Sequence, residues 1–331
     1  MIIRGPCSCS IFEMNDRTLM LFGEVHRRVD KGDECISDFV AGLASDTTIM
    51  MDIFIEGWHT SSGPSIGCGL RSMRRRFVRS QKNIRVHLCD VRRARFDHDQ
   101  PALVAMDRIN HMMSSHIDRP FIREFLNDRR SPVWLGRIIP VWWDHLKIDR
   151  QIAHIRNPVI RGILSKFISS EFDRNARILR TQLRQNKPDD IVRTRLCSLL
   201  SILMDAYMLG RMLRHFRDND HPRRIIAYTG DAHYERFLRF FYLLRSSTLV
   251  SCIHQNLGTT VRDPWTLRTS MRRRFIQPSN QIPPTIPTLI ILPTIILSII
   301  ILTNLVCIRS TPDPTPPIQG YGNFGFHPIL I

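Results

Sequence analysis

Residues 286–308 carry no charged side chain and are dense in Ile and Leu over about 23 residues, and no other feature constrains the chain as much. Crossing the hydrocarbon core of a bilayer takes about 20 apolar residues. A helix of a soluble domain normally keeps a polar face over such a length. Pro287 and Pro293 fall in the first half of the stretch, and membrane helices tolerate the kinks they cause. The expectation is one transmembrane helix over 285–308. Arg262, Arg268, Arg272, Arg273 and Arg274 precede it and only Arg309 follows closely. Positive flanks stay on the cytoplasmic side, so the preceding body is expected in the cytosol, with membrane lipid as its partner. The tail, 309–331, is Pro- and Gly-rich and too short to fold alone.

The chain has 331 residues and a net charge of +17, supplied almost wholly by Arg; Lys31, Lys82, Lys147, Lys166 and Lys187 are the lysines. A basic surface suits nucleic acid or an anionic membrane face. The arginines are spread along the chain rather than gathered in a stripe, and no RNP, zinc-finger or helix-turn-helix signature is present. Nucleic acid is therefore not the expected partner. The eight cysteines are scattered and show no zinc-type spacing, which fits a reducing compartment. Residues 1–12 lack the apolar run of a secretory signal.

Five short apolar runs, 19–22, 48–55, 84–89, 225–228 and 248–253, read as strands. A short helix is expected over 33–43, between the first two. The β-α-β order implies a parallel sheet with right-handed crossovers. From about 101 to 220 the apolar spacing turns helical, as in Ile160, Ile163, Leu164 and Phe167, or Leu196, Leu199, Leu200 and Leu203. The expected fold class is α/β, a mostly parallel sheet with flanking helices and a large helical insertion or cap. The domain would span 1–254, with the insertion at about 101–220 and a polar linker over 255–284 leading to the membrane helix.

Ionisable residues gather where these strands end. The first ends in Gly23-Glu24-Val25-His26, the second in Glu56, the third in Asp90 with Arg92 and Arg93 beyond, and the fourth in Gly230-Asp231-Ala232-His233. In an open parallel sheet the carboxyl ends of the strands line one crevice, and neighbouring strands lie about 4.8 Å apart. Two histidines and two or three carboxylates there suit either a divalent metal or a metal-free acid/base site. Arg92 and Arg93 would hold an anionic substrate. Asp205, Tyr207 and Arg211 lie within two turns of one helix, and one of them is expected to reach the crevice.

The set Gly23-Glu24-Val25-His26, Asp52-Ile53-Phe54-Ile55-Glu56 and Gly230-Asp231-Ala232-His233 resembles the erythromycin-esterase/ChaN-like superfamily, which includes TIKI/TraB-type membrane-linked proteins. More closely, it is similar to proteins of large DNA viruses in which such a Gly-Asp-Ala-His follows a helix like 204–211. The resemblance covers about 19–253 and implies that Glu24, His26, Glu56 and His233 form the active centre, as catalytic groups and as ligands of a divalent metal. Asp90, Arg92, Arg93, Arg211 and Asp231 would then face the substrate. Family activities include cyclic-ester hydrolysis, metal-dependent peptide cleavage and haem binding, so the fold alone does not fix the reaction. One intervening residue between Glu24 and His26 matches the ChaN-like branch rather than the esterases. The resulting expectation is a membrane-anchored hydrolase acting on an ester or peptide. The competing reading is a non-catalytic membrane adaptor that keeps a degenerate hydrolase fold and works through the basic run 71–79.

Overall fold

The computed structural model describes residues 2–4, 6–14, 17–24, 34–45, 49–56, 68–77, 82–89, 101–216, 221–247, 249–257 and 265–266. The chain divides into two units, Met1–Gln277 and Pro278–Ile331. The second, with the stretch expected to cross the membrane, lies outside the described residues.

In chain order the elements are β1 (Ile2–Arg4), β2 (Ser8–Met14), β3 (Arg17–Glu24), β4 (Glu34–Cys35), α1 (Ile36–Ala44), β5 (Met51–Ile55), α2 (Cys68–Arg76) and β6 (Ile84–Leu88). Six helices follow: α3 (Pro101–Met112), α4 (Arg119–Asn127), α5 (Leu135–His145), α6 (Ile148–Ala153), α7 (Pro158–Arg184) and α8 (Asp189–Leu213). The chain then returns to β7 (Arg224–Gly230), α9 (Asp231–Ser246), β8 (Ser251–Leu257) and β9 (Trp265–Thr266).

The main sheet has six strands in the order β6-β5-β7-β3-β2-β8. Strands β6, β5, β7 and β3 run parallel to one another, whereas β2 is antiparallel to both β3 and β8. The sheet is therefore mixed and mostly parallel. A mostly parallel sheet is what was expected; β2 is an antiparallel strand outside the five expected runs. Its sequence, SCSIFEM, hides its character because Ser8 and Ser10 are buried where apolar residues were sought. Both are satisfied by hydrogen bonds, Ser8 Oγ to Asp231 Oδ1 at 2.9 Å and Ser10 Oγ with Tyr234 Oη at 2.7 Å, which removes the cost of burying a hydroxyl. Strand β8 runs on to Leu257, and β9 lies within the stretch expected as linker. Among the described residues β8 pairs on one side only. Strand β1 pairs with β4 and β9 in a separate small sheet.

The period-2 alternation of the strands sends side chains to two layers. On one face Met20, Phe22, Ile53, Ile55 and Tyr228 pack with α1 and α2. On the other Leu19, Leu21, Phe54, Ile225 and Ala227 join the larger core built by the helices from α3 to α9. Helices α7 and α8 form a long antiparallel hairpin. Asn157 caps α7 by accepting from Val159 N and Ile160 N, with Pro158 at the first helical position. Helix α8 is long and apolar enough to cross a membrane, but 78% of its most apolar window is buried here. It is the central helix of the larger core. Its position delivers Asp205 to the sheet.

Candidate functional site

Gly230 ends β7 and caps α9, so the chain passes from strand to helix without a loop. The abrupt passage puts His233 in the first turn of α9, above the carboxyl end of the sheet. Glu56 follows β5 directly, and β5 neighbours β7. Glu56 Oε2 accepts from Gly230 N at 2.5 Å, which seats a carboxylate on the N-terminus of α9. Its Oε1 stands 3.4 Å from His233 Nε2. The other ring nitrogen, Nδ1, is 2.5 Å from Asp205 Oδ1 of α8. Asp205 Oδ2 accepts from Arg236 Nε, and Arg236 Nη2 donates to Ser201 Oγ. Glu56, Asp205, His233 and Arg236 are all buried.

Two carboxylates thus face one imidazole. Burial opposes a charge on His233, but Asp205 and Glu56 outweigh it and raise its pKa to about 9. At neutral pH the ring is an imidazolium. With Arg236 the cluster holds two cations and two anions. A buried cluster that balances its own charge avoids the cost of an unpaired ion.

Glu24 ends β3 and lies towards the α1 and α2 layer. Its Oε2 accepts from Tyr228 Oη at 2.5 Å and from Leu70 N of α2 at 2.7 Å. Its Oε1 is buried with no hydrogen-bond partner among the described residues. Burial raises the Glu24 pKa to about 7, against the lowering effect of the Tyr228, Leu70 and Gly69 hydrogen bonds and with a further push from Glu56. β3 and β5 flank β7, so their axes lie two strand spacings apart, about 10 Å. Glu24 and Glu56 feel each other's charge across the rim but are held by separate partners. Gly23 allows this packing: a Cβ there would lie 2.8 Å from Asp231 Oδ1 and 2.9 Å from Tyr234 Cγ.

Of the expected site residues, Glu56 and His233 come together directly, and Glu24 shares their rim. Asp231 accepts from Ser8 Oγ and ties the start of α9 to β2. Arg211 donates from Nε to His87 Nδ1 of β6 at 3.1 Å and is joined to that strand, not to the His233 cluster. His26, Asp90, Arg92 and Arg93 lie outside the described residues. Tyr228, Arg236 and Ser201 were not expected at the site. Asp205, one of three residues considered on its helix, proves to be the one that reaches it. The signal for Asp205 was a lone carboxylate in an apolar helix, which requires a buried partner.

The donor chemistry fits a divalent metal in part. Glu56 Oε1 and His233 Nε2 are separated by 3.4 Å, and two ligands about 2.1 Å from a tetrahedral ion stand about 3.4 Å apart. Asp205 orients the second ring nitrogen as carboxylates do behind metal-bound histidines. Among the described residues, however, no group of three His, Cys, Asp or Glu side chains is placed to hold a metal. No protein-family model, curated protein or solved structure matches the chain.

Both pKa shifts are upward, so both groups bind their protons more tightly in the folded chain. The stability this brings is full below the unfolded value and is lost as pH rises through the folded value. The window runs from 4.5 to about 7 for Glu24 and from 6.5 to about 9 for His233. Thermal unfolding is expected to show a Tm that falls by several degrees between about pH 6.5 and pH 9. His233→Gln should be less stable at pH 6.5 and should lose most of that slope. A Tm that is flat or rising over the window would contradict the assignment.

Proposed function

We propose that this chain is a membrane-anchored, hydrolase-like protein whose reacting centre lies at the carboxyl ends of β3, β5 and β7. One observation carries the reading. Glu24 is buried, keeps one oxygen without a partner among the described residues, and titrates near neutrality. A carboxyl group in that state can take a proton from water and return one to a leaving group, which is the work of a general acid/base. Tyr228 and Leu70 fix its other oxygen and so fix the direction of the free one. Glu56 and Asp205 hold His233 charged and fixed beside the rim, which seats Glu56 at the carboxyl end of β5. The substrate class is an ester or a peptide, as the resemblance to the erythromycin-esterase/ChaN-like superfamily implies. Asp231 and, beyond the described residues, Asp90, Arg92 and Arg93 would border the substrate.

The same resemblance implies a divalent metal, which Glu24, His26, Glu56 and His233 would hold, with His233 giving up the proton it shares with Glu56 to become a ligand. Bound there, it would supply a water acidic enough to attack at neutral pH. Residues 285–308 anchor the protein, with the body on the cytosolic side.

A second reading, the non-catalytic adaptor, is favoured by a different observation. The charges of Glu56, Asp205, His233 and Arg236 neutralise one another in a buried cluster, as a purely structural clamp would. Helix α2 meanwhile buries Leu70 and Met73, with Phe77 buried just after it, and exposes Arg71, Arg75 and Arg76.

Two measurements test these proposals. Full-length protein should hydrolyse members of an ester or peptide panel, and Glu24→Gln should lower kcat at least about 100-fold with its circular dichroism unchanged; metal content measured on the same preparations tests the metal. Full activity in a folded Glu24→Gln variant, or no turnover on either panel, would overturn the enzyme reading in favour of the adaptor. For the anchor, alkaline carbonate should leave the full chain in the membrane pellet and release a chain ending at residue 284. Release of both would contradict the anchor.

A further inference from the structure

A second polar cluster lies at β6, the last strand of the sheet on that side among the described residues. Asp52 and Arg85 are register partners on β5 and β6, and Phe54 and His87 are the next such pair on the same face. Asp52 is four residues before Glu56, so the two clusters are about 13 Å apart along β5. Arg85 Nε donates to Asp52 Oδ1 at 2.6 Å. His87 is 4.6 Å from Phe54, ring centre to ring centre. It accepts at Nδ1 from Arg211 Nε, and its Nε2 stands 3.6 Å from Asp52 Oδ1, too long for a hydrogen bond. Arg214 donates to Gln151 Oε1 at 3.1 Å. The guanidinium groups of Arg85 and Arg214 both lie over the ring of Phe216, at 4.1 Å and 4.5 Å.

Three guanidinium groups therefore converge where, among the described residues, the contacts give one carboxylate, Asp52. Burial, with the lesser push of the Arg211 and Arg85 charges, holds His87 below the ordinary imidazole range against the opposing pull of Asp52, and with Nδ1 accepting from Arg211 the ring offers an N–H at Nε2. The cluster also has unused donors. Among the described residues Arg85 Nη2, Arg214 Nε and His87 Nε2 are buried and have no hydrogen-bond partner, and the His87 side chain is only 10% exposed. Asp52 Oδ2 is the one acceptor of the cluster in the same condition among those residues. A buried donor left unpaired costs about 1–3 kcal/mol, and three beside an excess of positive charge call for an anionic acceptor. Arg211, Arg214 and Phe216 are each partly exposed, which leaves a route from solvent.

We propose that Arg85, Arg211 and Arg214 form a binding site for the phosphate group of a small soluble molecule, separate from the strand-end site. A phosphate has enough oxygens to take the free Nη and Nε donors together with His87 Nε2, and its double charge offsets the excess. Guanidinium groups bind phosphate through paired, charge-assisted hydrogen bonds. The site does not depend on the hydrolase reading.

Isothermal titration of the full chain with inorganic phosphate, at constant ionic strength held with chloride, tests the proposal. Saturable one-to-one binding is expected. Arg211→Gln and Arg214→Gln should each weaken it about tenfold or more, with Tm unchanged. Where a Gln variant melts early, Arg211→Lys and Arg214→Lys keep the charge and stem and should still bind more weakly than wild type. Glu24→Gln, at the strand-end site, should bind phosphate as wild type does. Glycerol phosphate and dihexanoyl phosphatidic acid, run in parallel, separate a soluble phosphate from a lipid headgroup. Absence of saturable phosphate binding, binding indifferent to Arg211 and Arg214, equal loss in a folded Glu24→Gln, or binding of the lipid alone would each overturn the proposal.

Discussion

His233, an imidazolium held between the carboxylates of Asp205 and Glu56, ties three separate parts of the chain together. Asp205 belongs to α8, His233 to α9 and Glu56 to the end of β5. Each group would be costly to bury alone. Together with Arg236 they form a neutral set whose removal in part would leave an uncompensated charge, at about 3–5 kcal/mol. The helical layer is otherwise joined to the sheet by apolar packing, which favours contact without fixing register. The charge cluster supplies the register. Its short, directed contacts set where α9 begins and which turn of α8 faces the rim.

That same constraint shapes the chemistry available at the rim. Both ring nitrogens of His233 face carboxylates, so the proton acceptor in the metal-free reading is Glu24, on the other side of β7. Burial keeps Glu24 near neutrality, and Tyr228 and Leu70 hold one of its oxygens. Glu56 links the two halves, as partner of His233 and as a charge that Glu24 feels. The close approach at Gly23 lets α9 lie against β3 and keeps the halves in register.

Parts of this arrangement were legible in the sequence because one rule decided them. MDIFI is buried on both faces and reads as a strand without ambiguity. Gly230-Asp231 marks a strand turning directly into a helix. The rule that parallel strands gather their carboxyl ends brought Glu56 and His233 together. β2 was hidden because buried serines look like surface ones until their partners, Asp231 and Tyr234, are known. The faces of Glu24 and Glu56 were also hidden. Alternation fixes faces within one strand and says nothing about the phase between two strands, which depends on register. Asp205 stood out in its apolar helix, but its partners lie 28 and 31 residues away on α9, beyond any local pattern. The joining of Arg211 to β6, rather than to the rim, follows from where α8 crosses the sheet.

The protonation state of His233 is the point on which the account turns. Nitrogen NMR of the full chain labelled at histidine, followed from pH 5 to pH 10, reads it directly. The account predicts that both ring nitrogens stay protonated through neutrality, that the ring titrates near pH 9, and that Glu56→Gln lowers this value. A His233 ring that is neutral at pH 7.5 and titrates in the ordinary imidazole range would contradict it.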